Sequence, residues 1–286
     1  MLGIPLRYLL KNPTAAASLI AHPHATYVNL VDEYVAKREG QRAQWPYQAD
    51  GDWERKLHEG LGMPWPCSVS AEIPALWQQV MEELRAKGIE PGPQSFGSWN
   101  DGDAALIRAV WCVTRHLQPE KVVETGVAHG VTSRFILEAL ERNGQGKLSS
   151  IDLPLFEKSW QKQIGIAVGD GYGKRWAYIK GSSRLQLPKL LAQLGQIDLF
   201  IHDSLHSERN VRFEMDRVWS SLRPGGIMIV DDVDANWGFH SFTHSFSGHT
   251  SLICEAEPIR PDLRRFNKKG MFGIIQKDRA AVEKAA

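Results

Sequence analysis

The sequence has few of the features that direct a protein to an oxidising compartment, a membrane or a polyanion. Its three cysteines, Cys67, Cys112 and Cys254, are widely spaced and odd in number, which fits neither a disulfide framework nor a CxxC zinc site. The 34 basic and 33 acidic residues nearly cancel, so no net field attracts nucleic acid or anionic lipid. No continuous apolar stretch predicts a signal peptide or a membrane span. We expect a cytoplasmic protein with a small-molecule partner.

The chain is longer than one nucleotide-binding sheet domain requires, which predicts an added segment. Residues 1–95 are the candidate extension, mainly helical and irregular, because short Pro and Trp clusters such as Pro64-Trp65-Pro66 interrupt regular periods. A helix over residues 74–87 places Leu76, Val80 and Leu84 on one face, which we expect to dock on the main domain. A turn-rich joint follows, so we assign residues 96–286 to the main domain, with Asn100 or Asp101 capping its first helix.

Short apolar runs alternate with amphipathic helices from Lys121 onward. This alternation predicts an α/β domain with a mostly parallel sheet. Ser207 is the predicted cap of one helix, which Pro224-Gly225-Gly226 ends before the fifth strand. The predicted strands are Val122-Val123 and residues 148–152, 176–179, 197–202, 227–230, 252–254 and 271–275. Ligands of such sheets bind beyond the carboxyl ends of the strands, so the residues that follow strands are the candidate site.

A loop of small residues, Glu124-Thr-Gly126-Val-Ala128-His-Gly130, follows the first strand. Small side chains let the backbone approach a ligand and turn into the next helix. The nicotinamide fingerprint GxGxxG requires glycine where Ala128 and Val131 stand, so an NAD-dependent oxidoreductase fits poorly. A tight turn without a ligand is the alternative interpretation.

Two further strand ends carry candidate nucleoside contacts. Asp152 closes the second strand, where its carboxylate can accept hydrogen bonds from ribose hydroxyls. A solvated turn aspartate is the alternative. Gly181-Ser182-Ser183 follows the third strand and can approach an adenine edge.

Three carboxylates follow the fourth and fifth strands. If these strands are neighbours, Asp203, Asp231 and Asp232 share one small volume, which is costly unless they bind a cation, take up protons or face solvent. Carboxylate oxygens suit Mg²⁺, with Mn²⁺ or Ca²⁺ as substitutes. His206 can enter the same pocket and take a proton from a hydroxyl. The alternatives are aspartates that cap the following segments and a histidine that bonds backbone.

These segments together resemble class I S-adenosylmethionine-dependent methyltransferases, and among them the metal-dependent O-methyltransferases of the macrolide-sugar and natural-product tailoring type. The resemblance covers about residues 100–280, and its most specific segment is Leu222-Arg-Pro-Gly-Gly-Ile-Met-Ile-Val-Asp-Asp232. It implies a Rossmann-like, doubly wound, mostly parallel sheet of seven strands. Ala128 departs from the glycine that the family commonly has there, but alanine is small enough to keep the cofactor role.

The resemblance also implies site residues and a reaction. S-adenosylmethionine would donate a methyl group to a hydroxyl of a small molecule, such as a sugar diol or a catechol, with Mg²⁺ or Mn²⁺ bound by Asp203, Asp231 and Asp232. Asp203 and His206 would be catalytic, with His206 as the general base. The extension would cover the acceptor site or form a homo-oligomer contact. The predicted cofactor-binding residues are Glu124, Gly126, Ala128, Gly130, Thr132, Ser133, Asp152, Ser182, Ser183 and Asp203.

Two other functions stay open at this stage. A metal-independent methyltransferase would use the aspartates only to structure the loop. A non-catalytic cofactor-binding module would retain the cofactor site without turnover. Substitution of His206 and Asp203 distinguishes them, because lost turnover with unchanged cofactor affinity indicates catalysis.

Overall fold

The computed structural model describes residues 47–89, 103–153, 161–257 and 270–279, together with a few helical positions between residues 27 and 38. The predicted domain boundary near residue 95 and the proposed caps Asn100 and Asp101 lie outside these residues. Within the described part of the chain, no helix is both long and apolar enough to cross a bilayer.

The described residues form a seven-stranded sheet in the order β3-β2-β1-β4-β5-β7-β6. All neighbouring strands pair in parallel except β7, which runs antiparallel to both β5 and β6. The predicted doubly wound, mostly parallel fold is therefore confirmed. The strands are β1 Lys121–Thr125, β2 Lys147–Asp152, β3 Trp176–Lys180, β4 Ile197–His202, β5 Leu222–Val230, β6 His249–Glu255 and β7 Met271–Lys277.

One strand begins earlier than the sequence pattern indicated. Pro224-Gly225-Gly226 was expected to separate a helix from the fifth strand, but β5 starts at Leu222 and includes these residues. Ile197 pairs with Leu222 and Leu199 with Ile227, so one residue of β4 lies opposite four residues of β5. The bulge holds the Pro-Gly-Gly segment, which cannot form a regular ladder because proline lacks an N–H donor.

Seven α-helices accompany the sheet in the described residues. The first of the main domain, α3, is capped by Asp103, whose Oδ1 accepts from the Ala105 N–H at 2.8 Å, so the cap is neither Asn100 nor Asp101. Ser207 caps α6 as predicted, accepting from the Asn210 N–H at 3.1 Å. The helices are α1 Trp53–Leu61, α2 Ile73–Ala86, α3 Ala104–Leu117, α4 Val131–Asn143, α5 Ser183–Leu194, α6 Glu208–Ser221 and α7 Gly238–Ser245.

Successive residues of the central strands enter different cores, because side chains alternate across a strand. Leu199 and Ile201 of β4 pack on the face covered by α1, α3 and α4, whereas Phe200 packs on the face covered by α5, α6 and α7. Burial on both faces explains why these strands are continuous apolar runs.

The described part of the extension packs directly on the sheet domain. Trp53 of α1 lies in the first core, with its ring centroid 5.4 Å from that of Phe272 in an edge-on contact. The predicted face of α2 docks on α3 and α4, where Leu84 is 1% exposed. Asp50 joins the edge strand β6 by donating its N–H to the Ile253 carbonyl at 2.7 Å and accepting the Ile253 N–H at 3.0 Å.

Candidate active site

The candidate site lies where the order of the strands reverses, between β1 and β4. The chain winds from β1 towards β3 on one side and from β4 towards β5 on the other, so the loops after β1 and β4 meet at one edge. Their backbones touch, because the Asp203 N–H donates to the Thr125 carbonyl at 2.8 Å. Gly126 permits this approach, since a Cβ at that position would lie 1.8 Å from the Asp203 carbonyl oxygen.

Asp152 braces the small-residue loop from the neighbouring strand. Its Oδ2 accepts hydrogen bonds from the backbone N–H groups of Val127 at 2.9 Å and Ala128 at 3.0 Å. Ala128 adopts a left-handed conformation with φ of 46°, and Gly130 at φ of 83° begins α4. The loop therefore presents the N-terminus of α4 and tightly turned backbone at the ligand edge of the sheet.

Glu124 is buried beneath this loop. Its Oε2 accepts from Ser133 Oγ at 2.7 Å and from Ser150 Oγ at 2.6 Å, while its Oε1 is buried without a hydrogen-bond partner. Burial raises the pKa of Glu124 to about 7, despite the two serine hydrogen bonds. An unpartnered buried oxygen is costly, which makes Oε1 a candidate acceptor for a bound donor or a site for a proton.

The remaining predicted cofactor residues occupy different depths. Thr132 is partly exposed in the first turn of α4, and Ser182 is buried at the start of α5. Ser183 points inward and forms a side-chain hydrogen bond with Glu214. His129 is also buried, and its Nε2 lies 3.1 Å from Gln163 Oε1.

The structure brings together the predicted acidic residues after β4 and β5. Asp203, Asp231 and His206 each offer one ligand atom, and the three atoms lie within 4.8 Å of one another. Asp232 stands slightly apart, in a left-handed conformation with φ of 50°. Its Oδ2 lies 3.1 Å from His206 Nδ1, whereas His206 Nε2 is 3.8 Å from Asp203 Oδ1 and has no hydrogen-bond partner.

Crowded charge dominates the electrostatics of this cluster. Burial, and then the Asp232 carboxylate, raise the pKa of Asp203 well above its ordinary range, and the pKa of Asp231 rises for the same reasons. Burial lowers the pKa of His206, but the Asp232 and Asp231 carboxylates outweigh it and raise that pKa to about 9. Without another cation, the crowded carboxylates therefore favour the protonated forms of the cluster, above all of His206.

Glu214 on α6 hydrogen-bonds to side chains beside the cluster, a role that the sequence analysis did not predict. Its carboxylate is fully buried and accepts from Thr125 Oγ1 at 2.5 Å and from His202 Nδ1 at 2.7 Å. Ser204 Oγ and Asn210 Nδ2 each donate to the other oxygen at 2.9 Å. Glu214 thus joins the ends of β1 and β4 to α6. Its position in the apolar stripe of α6 was the available signal, because a buried acid in a helix requires several donors.

Comparison with known proteins identifies the domain. Residues 123–233 match the family described as "Methyltransferase domain", and this segment runs from β1 through the loop after β5. Over residues 123–233 the chain is similar to this methyltransferase family. The family resemblance of the sequence is thereby confirmed, and the matched segment contains Glu124, Asp152, Asp203, His206, Asp231 and Asp232.

Solved structures with a similar fold include three methyltransferases. TomG from Streptomyces achromogenes, an O-methyltransferase involved in tomaymycin synthesis and solved with SAM, has a TM-score of 0.53 at 15% identity, over 70% of this chain and 88% of its own. An O-methyltransferase from Bacillus cereus in complex with SAH gives 0.52 at 10% identity, over 70% and 90%. The SAH-bound methyltransferase PaMTH1 from Podospora anserina gives 0.50 at 14% identity, over 76% and 98%. A search of curated protein sequences finds no match.

The residues of this domain fit both groups that the resemblance implies, a cofactor and a divalent cation. For a cofactor, the domain offers the turned loop at Gly126–Gly130 and the unpartnered Glu124 Oε1 at the point where the strand order reverses. For a divalent cation, it offers two carboxylates whose proximity calls for positive charge, next to an unpartnered imidazole nitrogen.

Proposed function

We propose that this protein is an S-adenosylmethionine-dependent O-methyltransferase that acts on a hydroxyl of a small molecule with help from a divalent cation. The observation that carries the proposal is the meeting of the loop after β1 with Asp203, His206 and Asp231 at the reversal of strand order. O-methyltransferases among the similar structures, and the SAM or SAH bound in them, support the donor and the acceptor atom.

In this proposal, Asp203 and Asp231 hold the cation, Mg²⁺ or Mn²⁺, through carboxylate oxygens. A divalent cation held there would supply positive charge that favours deprotonation of the acceptor hydroxyl and of the nearby His206. The contact of Asp232 with His206 Nδ1 supports a change from the role implied by the resemblance. We assign Asp232 to orienting His206 and stabilising its charged form, as a carboxylate does for a catalytic histidine.

His206 accepts the proton of the acceptor hydroxyl at Nε2, the nitrogen that faces Asp203. Methyl transfer to oxygen is an in-line displacement, so the acceptor oxygen must be held opposite the sulfonium and must lose its proton. Two adjacent oxygens on the acceptor would suit a site with two carboxylates and one cation. We therefore propose a sugar diol or a phenolic diol as the substrate class.

The cofactor residues divide into two groups by their position and their contacts. Gly126, Ala128, Gly130, Thr132, Asp152 and Ser182 lie on or beside the turned loop and the ends of β2 and β3, and we assign them to direct contact with the cofactor. Ser133 is fully buried and donates to Glu124 Oε2, so we assign it to holding the loop in shape, whereas the unpartnered Oε1 of Glu124 is assigned to accepting from the cofactor. Ser183 contacts Glu214 and is assigned to the same supporting role as Ser133.

The first test is calorimetric titration of the chain, dialysed against EDTA, with S-adenosylhomocysteine and then with Mg²⁺ or Mn²⁺. We expect both ligands to bind, and turnover of catechol or a sugar diol to require the cation. Cofactor binding with turnover that EDTA leaves unchanged would support the metal-independent methyltransferase. Cofactor binding without turnover of any diol would favour the non-catalytic module, and no cofactor binding would refute the proposal.

Variants separate the roles of the clustered residues. His206→Gln should still bind S-adenosylhomocysteine and the cation but lose at least about 100-fold in kcat, which is the usual contribution of a general base. Asp231→Asn should lose cation affinity while keeping cofactor affinity. If His206→Gln instead abolished cation binding, His206 would be a ligand and not the base. Asp216→Asn, an exposed substitution on α6, is the matched control and should change neither property.

A further inference from the structure

A second cluster of metal-binding side chains lies away from the carboxylates, between α1 and α3. His58 comes from α1, Cys67 from the turn before the 3-10 helix Ser68–Glu72, and Cys112 and His116 from α3. Cys112 and His116 are four residues apart and so share one face of their helix. His58, Cys67 and Cys112 are buried, with 1%, 5% and 4% exposure, and one ligand atom from each lies within 4.8 Å of the others.

The fourth side chain completes the cluster. His116 Nε2 lies 3.2 Å from Cys67 Sγ, and the rings of His58 and His116 have centroids 5.2 Å apart. The four side chains therefore offer two sulfur and two imidazole ligands. This is the composition of a closed Cys2His2 zinc site, which has no open position for a substrate.

His58 has one ring nitrogen available to bind a metal ion. Its Nδ1 donates to the Glu54 carbonyl at 2.6 Å, which leaves the lone pair on Nε2. That Nε2 is buried and has no hydrogen-bond partner. A buried imidazole nitrogen without a partner is costly, and a backbone bond on the opposite nitrogen is the usual way that a protein orients a metal-binding histidine.

The spacing of the sulfur atoms suits a shared cation. Cys67 Sγ and Cys112 Sγ are 3.5 Å apart. Two thiolates bound tetrahedrally to one zinc with Zn–S bonds of about 2.3 Å are separated by about 3.8 Å. A sulfur and an imidazole nitrogen on the same zinc are separated by about 3.6 Å. Both separations are within a few tenths of an ångström of those in the structure.

We propose that His58, Cys67, Cys112 and His116 form a structural zinc site that fastens the extension to the methyltransferase domain. Two ligands come from the extension and two from α3, so the ion would join the two segments directly. Thiolate and imidazole ligands favour zinc over Mg²⁺. Two thiolates and two neutral imidazoles balance the charge of Zn²⁺, so the buried site carries no net charge.

The test is elemental analysis of the untagged full-length chain purified from zinc-supplemented culture. We expect about one zinc per chain, retained in Asp231→Asn because that substitution affects only the carboxylate cluster. Cys67→Ser and Cys112→Ser should lose the zinc. Cys254→Ser is the matched control, since Cys254 is a free, buried cysteine of β6 in the core, and this variant should keep the metal.

Cobalt exchange in the wild-type chain tests the site even if the cysteine variants fail to fold. Bound Co²⁺ should show thiolate charge-transfer absorption and the strong visible bands of tetrahedral coordination. Three outcomes would overturn the proposal. They are a zinc-free native protein, an intact mass lower by two hydrogens that reveals a Cys67–Cys112 disulfide, and zinc that is lost in Asp231→Asn but kept in Cys67→Ser.

Discussion

Replacing Glu214 with glutamine should destabilise the protein far more than a neutral substitution normally does. The Glu214 carboxylate is buried and accepts from the side chains of Thr125, His202, Ser204 and Asn210, with a further side-chain hydrogen bond to Ser183. A glutamine has nearly the same shape, but its NH2 group donates. At least two of these donors would therefore face another donor in a buried site, and the attraction between Glu214 and His202 would be lost.

The pKa of Glu214 gives the size of the effect. Burial raises this pKa, but the His202 imidazole and the hydrogen bonds outweigh it and hold it at about 2, below its ordinary value of 4.5. Each pKa unit corresponds to about 1.4 kcal/mol, so the ionised carboxylate contributes about 3 kcal/mol to the free energy of unfolding at neutral pH. Because the pKa is lower in the folded state, this contribution is complete above pH 4.5 and is lost as the pH falls towards 2.

Urea unfolding of the wild type and Glu214→Gln measures this contribution. We expect a difference of about 3 kcal/mol at pH 7 that shrinks by about 1 kcal/mol at about pH 3.5. Asp216→Asn on the same helix is the control. Its exposed ion pair with Arg212, 3.0 Å long, should contribute no more than about 0.5 kcal/mol. A Glu214→Gln variant as stable as the control, or a difference independent of pH, would refute the reasoning.

Three other predictions concern the loop, the cluster and the extension. Ala128→Gly should raise the free energy of unfolding by up to about 1 kcal/mol, because glycine adopts the left-handed φ of 46° without strain. Gly130→Ala should lower the free energy of unfolding by more, since the new Cβ would lie 2.9 Å from another backbone atom. Thermal unfolding that ranks the two variants in the opposite order would contradict this. In the cation-free protein, NMR should show His206 titrating near pH 9, and at a lower pH in Asp232→Asn. Because the pKa of His206 is raised in the folded state, its protonation stabilises the protein fully below pH 6.5, and this stabilisation is lost as the pH rises through 9. An unchanged titration midpoint in Asp232→Asn would exclude the contact between Asp232 and His206. Trp53→Ala should cost about 3–5 kcal/mol in urea unfolding, because its ring fills the core shared with Phe272; a loss below about 1 kcal/mol would mean that the extension is not part of that core.

The sheet could be predicted because its signals are local. Apolar runs of strand length separated by amphipathic helices correspond to β1, β2, β4 and β5. Ser207 was recognisable as a cap because an N-cap acts on N–H groups two or three residues away. Errors occurred where the outcome depends on a distant partner. Whether Pro224 lies in a turn or in a bulged strand depends on β4, which pairs with the residues on both sides of it.

The candidate site was predictable in location but not in its internal contacts. Residues that follow parallel strands must gather at one edge, so the proximity of Asp203 and Asp231 follows from the strand pattern. The partner of Asp232 does not, because the left-handed backbone at that residue directs its carboxylate towards His206. Glu214 has no motif, and its function depends on donors from β1, β4 and the loop after β4.

The cluster of His58, Cys67, Cys112 and His116 shows the same division. Cysteine spacing alone excluded a local CxxC site, but it carried no information on ligands supplied by separate elements. The order of apolar and polar residues along the chain is sufficient for the α/β sheet and for the edge where its ligands bind, because both follow from periodicity. Which side chains meet across α1, α3 and the strand ends depends on packing, because these contacts join residues that are far apart in the chain and form only when the whole domain folds.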